Sequence, residues 1–202
     1  MQTPDFRTLV LLVTFAALTA CGGQDAEAPP PAVQTDVAVP PVAVVDPACQ
    51  GEQGLTYLCG PQAAEDILGL GDTRYLLASG MSGADTPGHM YLVDPAAMTY
   101  TELTQSTSFS LSHDTTLFPA CPGPLNTAAF AVHGLSVQQT GAGMFSVYTT
   151  SHGEREAIEI YDLDISGAEP ALKWKGCVVL PDNTFANSVA RLADGGFVTT
   201  KM

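Results

Sequence analysis

Basic residues are scarce in this chain. Seven Lys and Arg stand against 21 Asp and Glu, a formal net charge of −14. No row of phosphates can be neutralised by such a surface, so nucleic acid is excluded as a partner, and an anionic lipid surface as the main contact. Several signatures are also missing. There is no C-x-x-C, which argues against a zinc or thioredoxin-like site. There is no G-x-S-x-G elbow, which argues against a serine hydrolase of the α/β kind. H-E-x-x-H and a phosphate-binding glycine loop are absent too. No apolar run reaches the about 20 residues that a membrane span needs.

The N-terminus does carry a shorter apolar run. Arg7 precedes Leu9 to Ala20, and the run ends in Leu18-Thr19-Ala20-Cys21-Gly22-Gly23. Small residues before a cysteine resemble the lipobox of bacterial lipoproteins. That resemblance implies a signal peptide over 1–20, cleavage before Cys21 and a lipid on its sulfur. The absence of aspartate after Cys21 favours the outer membrane, so the expected location is the cell envelope, lipid-anchored, facing the periplasm or the cell surface. Residues 21–48 read as the lipidated cysteine and a linker. Six prolines fall in the 25 residues from Gln24 to Ala48, and such a segment favours extended polyproline II at about 3.1 Å per residue. Residues 49–202 have the composition of one folded domain.

Four cysteines follow Cys21: Cys49, Cys59, Cys121 and Cys177. Export into an oxidising compartment predicts disulfides, and four cysteines allow three pairings. Cys121–Cys177 is favoured because it closes a long loop, leaving Cys49–Cys59.

Three segments of the domain align with one another. They are Glu65 to Gly80, His133 to Thr150 and Asn187 to Thr200. Each opens with a polar residue and a short apolar strand, passes a Gly/Asp turn, and enters a second strand at an aromatic. This reads as a repeated β-hairpin. Met90 to Pro95 and Ala157 to Asp162 supply third strands; Tyr100 to Leu103 and Leu172 to Trp174 supply fourth strands. Repeated four-stranded antiparallel sheets are the blades of a β-propeller. The repeats are longer than the about 40–45 residues of a compact blade, so 104–127, rich in Ser, Thr and Pro, reads as an insertion in the first. A β-sandwich is the alternative architecture. Little helix is expected, with only Pro61 to Asp66 hinting at a turn.

First strands of propeller blades line a common axis, so equivalent positions converge. Glu65, His133 and Asn187 are equivalent, followed by Asp66, Gly134 and Ser188. A carboxylate and an amide oxygen suit calcium, which takes 6–8 oxygen ligands. A histidine beside them suits proton transfer.

Ala64-Glu65-Asp66-Ile67, Val132-His133-Gly134-Leu135-Ser136, Thr150-Ser151-His152-Gly153 and Ala186-Asn187-Ser188-Val189-Ala190 resemble the paraoxonase/arylesterase motifs of the senescence-marker/gluconolactonase superfamily, in order and at similar spacing, over about 59–202. The resemblance implies an all-β, six-bladed propeller with two calcium ions. Glu65 and Asn187 match ligands of the catalytic calcium. Asp66 matches a ligand of the structural calcium, with the backbone carbonyl of Leu135 beside it. His133 matches the general base and His152 its helper. The implied reaction is calcium-assisted hydrolysis of a small-molecule ester or lactone. Ser188 stands where the family has an aspartate ligand, which bears on the second ion. The chain stops within the third repeat, so about two and a third blades of six are expected, as in a truncated sequence whose activity is in question.

Two other readings stay open. One is a non-catalytic envelope propeller that binds a ligand or partner; the other is a sugar lactonase nearer the gluconolactonase branch. Asp162 to Gly167 copies half an EF-hand loop, but Lys173 takes the position that needs a bidentate glutamate, so it reads as a turn. His113-Asp114 reads as a solvated pair, His89 as a surface residue starting a strand, and Trp174 as core.

Overall fold

The computed structural model describes residues 49–83 and 86–202, and all that follows concerns these. The signal peptide, Cys21 and the linker lie outside them. Among the described residues the fold is all-β, with a short 3-10 turn at Thr127–Ala129, and none of its sheets closes on itself. No described helix is long and apolar enough to cross a membrane.

Eleven strands form three sheets. β1 (Ala64–Gly69), β2 (Leu76–Gly80), β3 (His89–Asp94) and β4 (Thr99–Glu102) make an antiparallel meander in chain order. β6 (Val132–Gly141), β7 (Met144–Ser151), β8 (Ala157–Asp164) and β9 (Ala171–Val179) make a second. β10 (Ala186–Arg191) and β11 (Phe197–Lys201) form a third, two-stranded sheet. The hairpin turns sit at the glycines the sequence singles out. Gly71, Gly143 and Gly195 all adopt positive φ (53°, 69° and 90°), which favours residues without a side chain.

Two expectations are corrected. The segment 104–127 is not a loop belonging wholly to the first sheet. It contains β5 (Phe109–Leu111), which pairs in parallel with β9 and gives the second sheet a fifth strand. The expected turn over Pro61 to Asp66 is likewise overturned at its end, because Ala64, Glu65 and Asp66 already belong to β1, paired to β2.

The period-two alternation of strands explains the layering. Along β8, Ala157, Tyr161 and Leu163 face a core shared with Leu77, Met90 and Leu103 of the first sheet region, while Ile158 and Ile160 face Tyr148 and Val189 on the other side. The second sheet is therefore buried on both faces. Trp174, Tyr161 and Phe145 are the largest buried side chains, each contributing on the order of 2–3 kcal/mol of apolar burial.

The four cysteines form two disulfides, Cys49–Cys59 and Cys121–Cys177. The second ties the 104–127 segment to β9. His89 and His113 are not freely solvated. His89 Nδ1 lies 3.4 Å from Glu102 Oε1, and His113 packs on Trp174 with its Nε2 3.2 Å from the Phe118 carbonyl. The Asp162 to Gly167 segment finishes β8 and then turns, with Asp164 Oδ1 accepting the Ser166 N–H and hydroxyl.

Candidate functional site

The candidate residues occupy one structural device used three times. In β1 the pairing skips from Ala64↔Gly80 to Ile67↔Ala78, so Glu65 and Asp66 oppose Ser79 alone. In β6 it skips from Val132↔Ser151 to Leu135↔Thr149, so His133 and Gly134 oppose Thr150. In β10 it skips from Ala186↔Lys201 to Val189↔Thr199, so Asn187 and Ser188 oppose Thr200. Two residues against one is a β-bulge, which bends a strand and re-aims its side chains.

A hydroxyl closes each bulge. The N–H of the second bulge residue is left without a ladder partner and donates to the single residue opposite. Asp66 N–H donates to Ser79 Oγ at 3.1 Å, Gly134 N–H to Thr150 Oγ1 at 2.8 Å, and Ser188 N–H to Thr200 Oγ1 at 3.0 Å. The same hydroxyls then reach the next repeat. Ser79 Oγ donates to the His133 carbonyl, and Thr150 Oγ1 lies 3.4 Å from the Asn187 carbonyl as its donor. Asp66 adds a further link, its Oδ2 accepting the Leu135 N–H at 2.9 Å.

The strands approach closely. A Cβ built on Gly134 would stand 2.6 Å from both the Asn187 carbonyl oxygen and Ser188 Cα. Only glycine fits between β6 and β10 there. The backbone of Asn187 therefore lies against the residue next to His133.

The side chains at this junction form a chain of polar contacts. Glu65 Oε2 is 3.4 Å from His133 Nε2. His133 Nδ1 is 3.3 Å from His152 Nε2. His152 Nδ1 is 2.9 Å from Glu156 Oε2. The two imidazoles meet edge to face, and Phe185 stacks on His152 with centroids 5.3 Å apart and planes 15° apart. His152 is nearly enclosed, with 9% of its side chain exposed, whereas Glu65 is 40% exposed. The Glu65 end of the chain meets solvent most, His152 is the most enclosed member, and Glu156 is 23% exposed.

The loop joining β7 to β8 presents His152 and Glu156, and it is pinned at several points. His152 N–H donates to the Ala131 carbonyl at 3.0 Å, and the Glu156 carbonyl accepts the Leu180 N–H at 2.9 Å. Arg155 grips Glu159 through Nε (2.8 Å) and Nη2 (3.2 Å), and donates through Nη1 to the Gly123 carbonyl at 3.0 Å. Glu159 is buried and also accepts the Trp174 indole N–H at 2.6 Å.

The oxygen donors expected to hold calcium suit a hard cation in kind. Their number is smaller than calcium takes. Among the described residues no group of three or more His, Cys, Asp and Glu is arranged to hold a metal ion. Both Asp66 oxygens accept backbone N–H groups, from Leu135 and from Ile67 at 2.8 Å.

Sequence reasoning missed Glu156 and the three hydroxyls. Glu156 sits in a loop and has no counterpart in the repeat alignment. The hydroxyls had a signal, since Ser79, Thr150 and Thr200 all fall near the end of the aligned segments. A recess of about 360 Å³ lies elsewhere, between Tyr148, Ile160, Asp162, Lys175 and Arg191. A recess of about 290 Å³ borders His152, Gly153 and the segments around Pro87 and Ala129.

Comparison of the chain with known protein families, with curated proteins and with solved structures found no match.

Proposed function

We propose that the protein is a hydrolase of small carbonyl esters or lactones, built on a propeller-type scaffold. The observation that carries this reading is the His133–His152 contact, 3.3 Å between ring nitrogens, flanked by a carboxylate at each end. One enclosed imidazole orienting a second, more accessible one is the arrangement of an oriented general base.

The scaffold reading rests on the repeated bulge. Three first strands carry it at the same place, and two hydroxyls bridge to the following repeat in the same way. Equal units joined by equal contacts are what radial repetition requires. The motif resemblance to the paraoxonase/arylesterase proteins points the same way.

In this mechanism His133 takes a proton from water as the water oxygen attacks the carbonyl carbon. The carbonyl π-pair moves to its oxygen. When the tetrahedral species collapses, the C–O bond to the leaving group breaks and the alkoxide or phenolate recovers the proton from His133. His152 holds the His133 ring in place throughout. Calcium, held by Glu65 and Asn187, would act as the Lewis acid on the carbonyl oxygen. At the Asp66 site Ser188 offers a hydroxyl in place of a carboxylate, a weaker ligand for a second ion. Attachment of the domain to the envelope through a lipid on Cys21 completes the proposal.

The test is hydrolysis of a panel of aryl esters, aliphatic lactones and sugar lactones, with and without added calcium. The wild-type chain is expected to turn over at least one class, and His133→Gln to lose that turnover by about 100-fold or more. Turnover equal in the two proteins would reject His133 as the base. A wild-type chain that binds such compounds without turning them over would favour a binding module.

A further inference from the structure

Glu156 is the one member of the polar chain that neither the repeat alignment nor the motif resemblance reaches. It lies four residues from His152, on the same loop, with both carboxylate oxygens within 3.0 Å of His152 Nδ1.

A carboxylate only accepts hydrogen bonds. Nδ1 of His152 must therefore carry a proton. In the neutral ring Nε2 is then the lone-pair nitrogen, and it faces His133 Nδ1 at 3.3 Å. A lone pair there requires a proton on His133 Nδ1. His133 Nε2 faces Glu65 Oε2 at 3.4 Å, and that carboxylate favours a proton on it, so His133 answers to both of its neighbours.

His152 has little freedom to escape this assignment. Its side chain is 9% exposed and stacks on Phe185, so Glu156 is the main partner within reach of Nδ1. The loop beneath it is fixed by the Leu180–Glu156 and Ala131–His152 backbone bonds. Arg155, between the two, is anchored to buried Glu159. A Cβ on Gly153 would stand 2.2 Å from the Ala129 carbonyl oxygen, so the loop also lies tight against its neighbour.

We propose that Glu156 is a positioning residue. It fixes His152 as the Nδ1–H tautomer, which leaves Nε2 of His152 free to accept from His133 Nδ1. This rests on the reading of His133 as the base for ester or lactone hydrolysis, but the tautomer itself does not.

The experiment uses the full chain carrying nitrogen-15 histidine, with the four histidines assigned by single His→Gln variants. Spectra are recorded about two pH units above the ordinary imidazole value, where free rings are neutral. The wild-type His152 is expected to show a proton-bearing Nδ1 and a lone-pair Nε2. Glu156→Gln, whose amide both donates and accepts, is expected to give a mixture of tautomers. A proton on Nε2 of His152, on both its nitrogens, or a tautomer unchanged in Glu156→Gln would overturn the proposal. With an ester that the wild-type chain hydrolyses, Glu156→Gln is expected to lower kcat about 10- to 100-fold and to leave KM within about twofold. An unchanged kcat alongside a lost tautomer would overturn the positioning role. A wild-type chain with the expected tautomer and no hydrolysis of any substrate would reject the hydrolase reading while leaving the role of Glu156 over His152 intact.

Discussion

Thr150 accepts the Gly134 N–H at 2.8 Å through the hydroxyl that it points at the Asn187 carbonyl, 3.4 Å away. One side chain thus closes the bulge that presents His133 and ties it to the strand that carries Asn187. Thr150 is fully buried, so water cannot replace it. Thr150→Val keeps the shape and removes both bonds. It is expected to cost about 1–3 kcal/mol, the penalty for leaving a buried N–H unpaired. Urea unfolding measures this. Thr150→Ser, which keeps the hydroxyl, is expected to cost less.

Asp66 and Leu135 make the matching link between β1 and β6, at 2.9 Å. Asp66→Ala removes the acceptor of the buried Leu135 N–H, and about 1–3 kcal/mol of stability should go with it. Asp66→Asn retains an acceptor oxygen and should cost less in the absence of calcium. If Asp66 also holds an ion, calcium will raise the melting temperature of the wild-type chain more than that of Asp66→Asn. Calorimetry with calcium and with chelator separates the two contributions.

Gly134→Ala tests the close approach of β6 and β10. The added methyl would meet the Asn187 carbonyl oxygen and Ser188 Cα, both at 2.6 Å, and these are backbone atoms that cannot swing aside. Overpacking of this kind costs about 1–3 kcal/mol. The thermal midpoint should fall, and the resonances of β10 should move more than those of β4.

The parts legible in the sequence and the parts that were not differ for physical reasons. Glu65, His133 and Asn187 aligned because each repeat needs a bulge at the start of its first strand, and that need leaves a polar residue followed by an apolar strand. β5 was not legible. It is three residues long, lies among Ser and Thr, and owes its structure to pairing with Phe109↔Leu172 and Leu111↔Trp174 across the fold, not to local propensity. Glu156 escaped for a related reason. Its contact with His152 depends on the shape of a five-residue hairpin loop, which leaves no periodic trace. The cysteine pairing favoured from loop length, Cys121–Cys177 with Cys49–Cys59 left over, is the one the structure forms.

Acid should weaken the turn after β3. Asp94 Oδ1 accepts the N–H groups of Ala96 and Ala97, both at 3.1 Å, and Oδ2 accepts from Arg74 Nε at 2.8 Å. The Ala97 N–H, with Arg74, holds this carboxyl below its ordinary value of 3.8. A depressed carboxylate contributes stability above the unfolded value and loses it as pH falls through the folded one. Stability should therefore decline as pH drops below about 4, and Asp94→Asn should flatten that part of the profile. Chemical denaturation at a series of pH values checks it.

Buried Glu159 is the last point at which one substitution should have a disproportionate effect. Its carboxylate is 1% exposed and is neutralised by Arg155, with the Trp174 indole N–H as its remaining donor. Arg155→Leu leaves the charge buried without a partner, a change that costs about 3–5 kcal/mol in such pairs. Replacing both members, Arg155→Leu with Glu159→Met, removes the stranded charge and should recover much of that loss. The single tryptophan of the chain touches this pair directly, so its emission reports unfolding at the relevant place. Recovery in the double variant would assign the loss to an unpaired charge. A double variant as unstable as the single one would assign it instead to the hold that Arg155 keeps on the Gly123 carbonyl, and with it on the loop that carries His152.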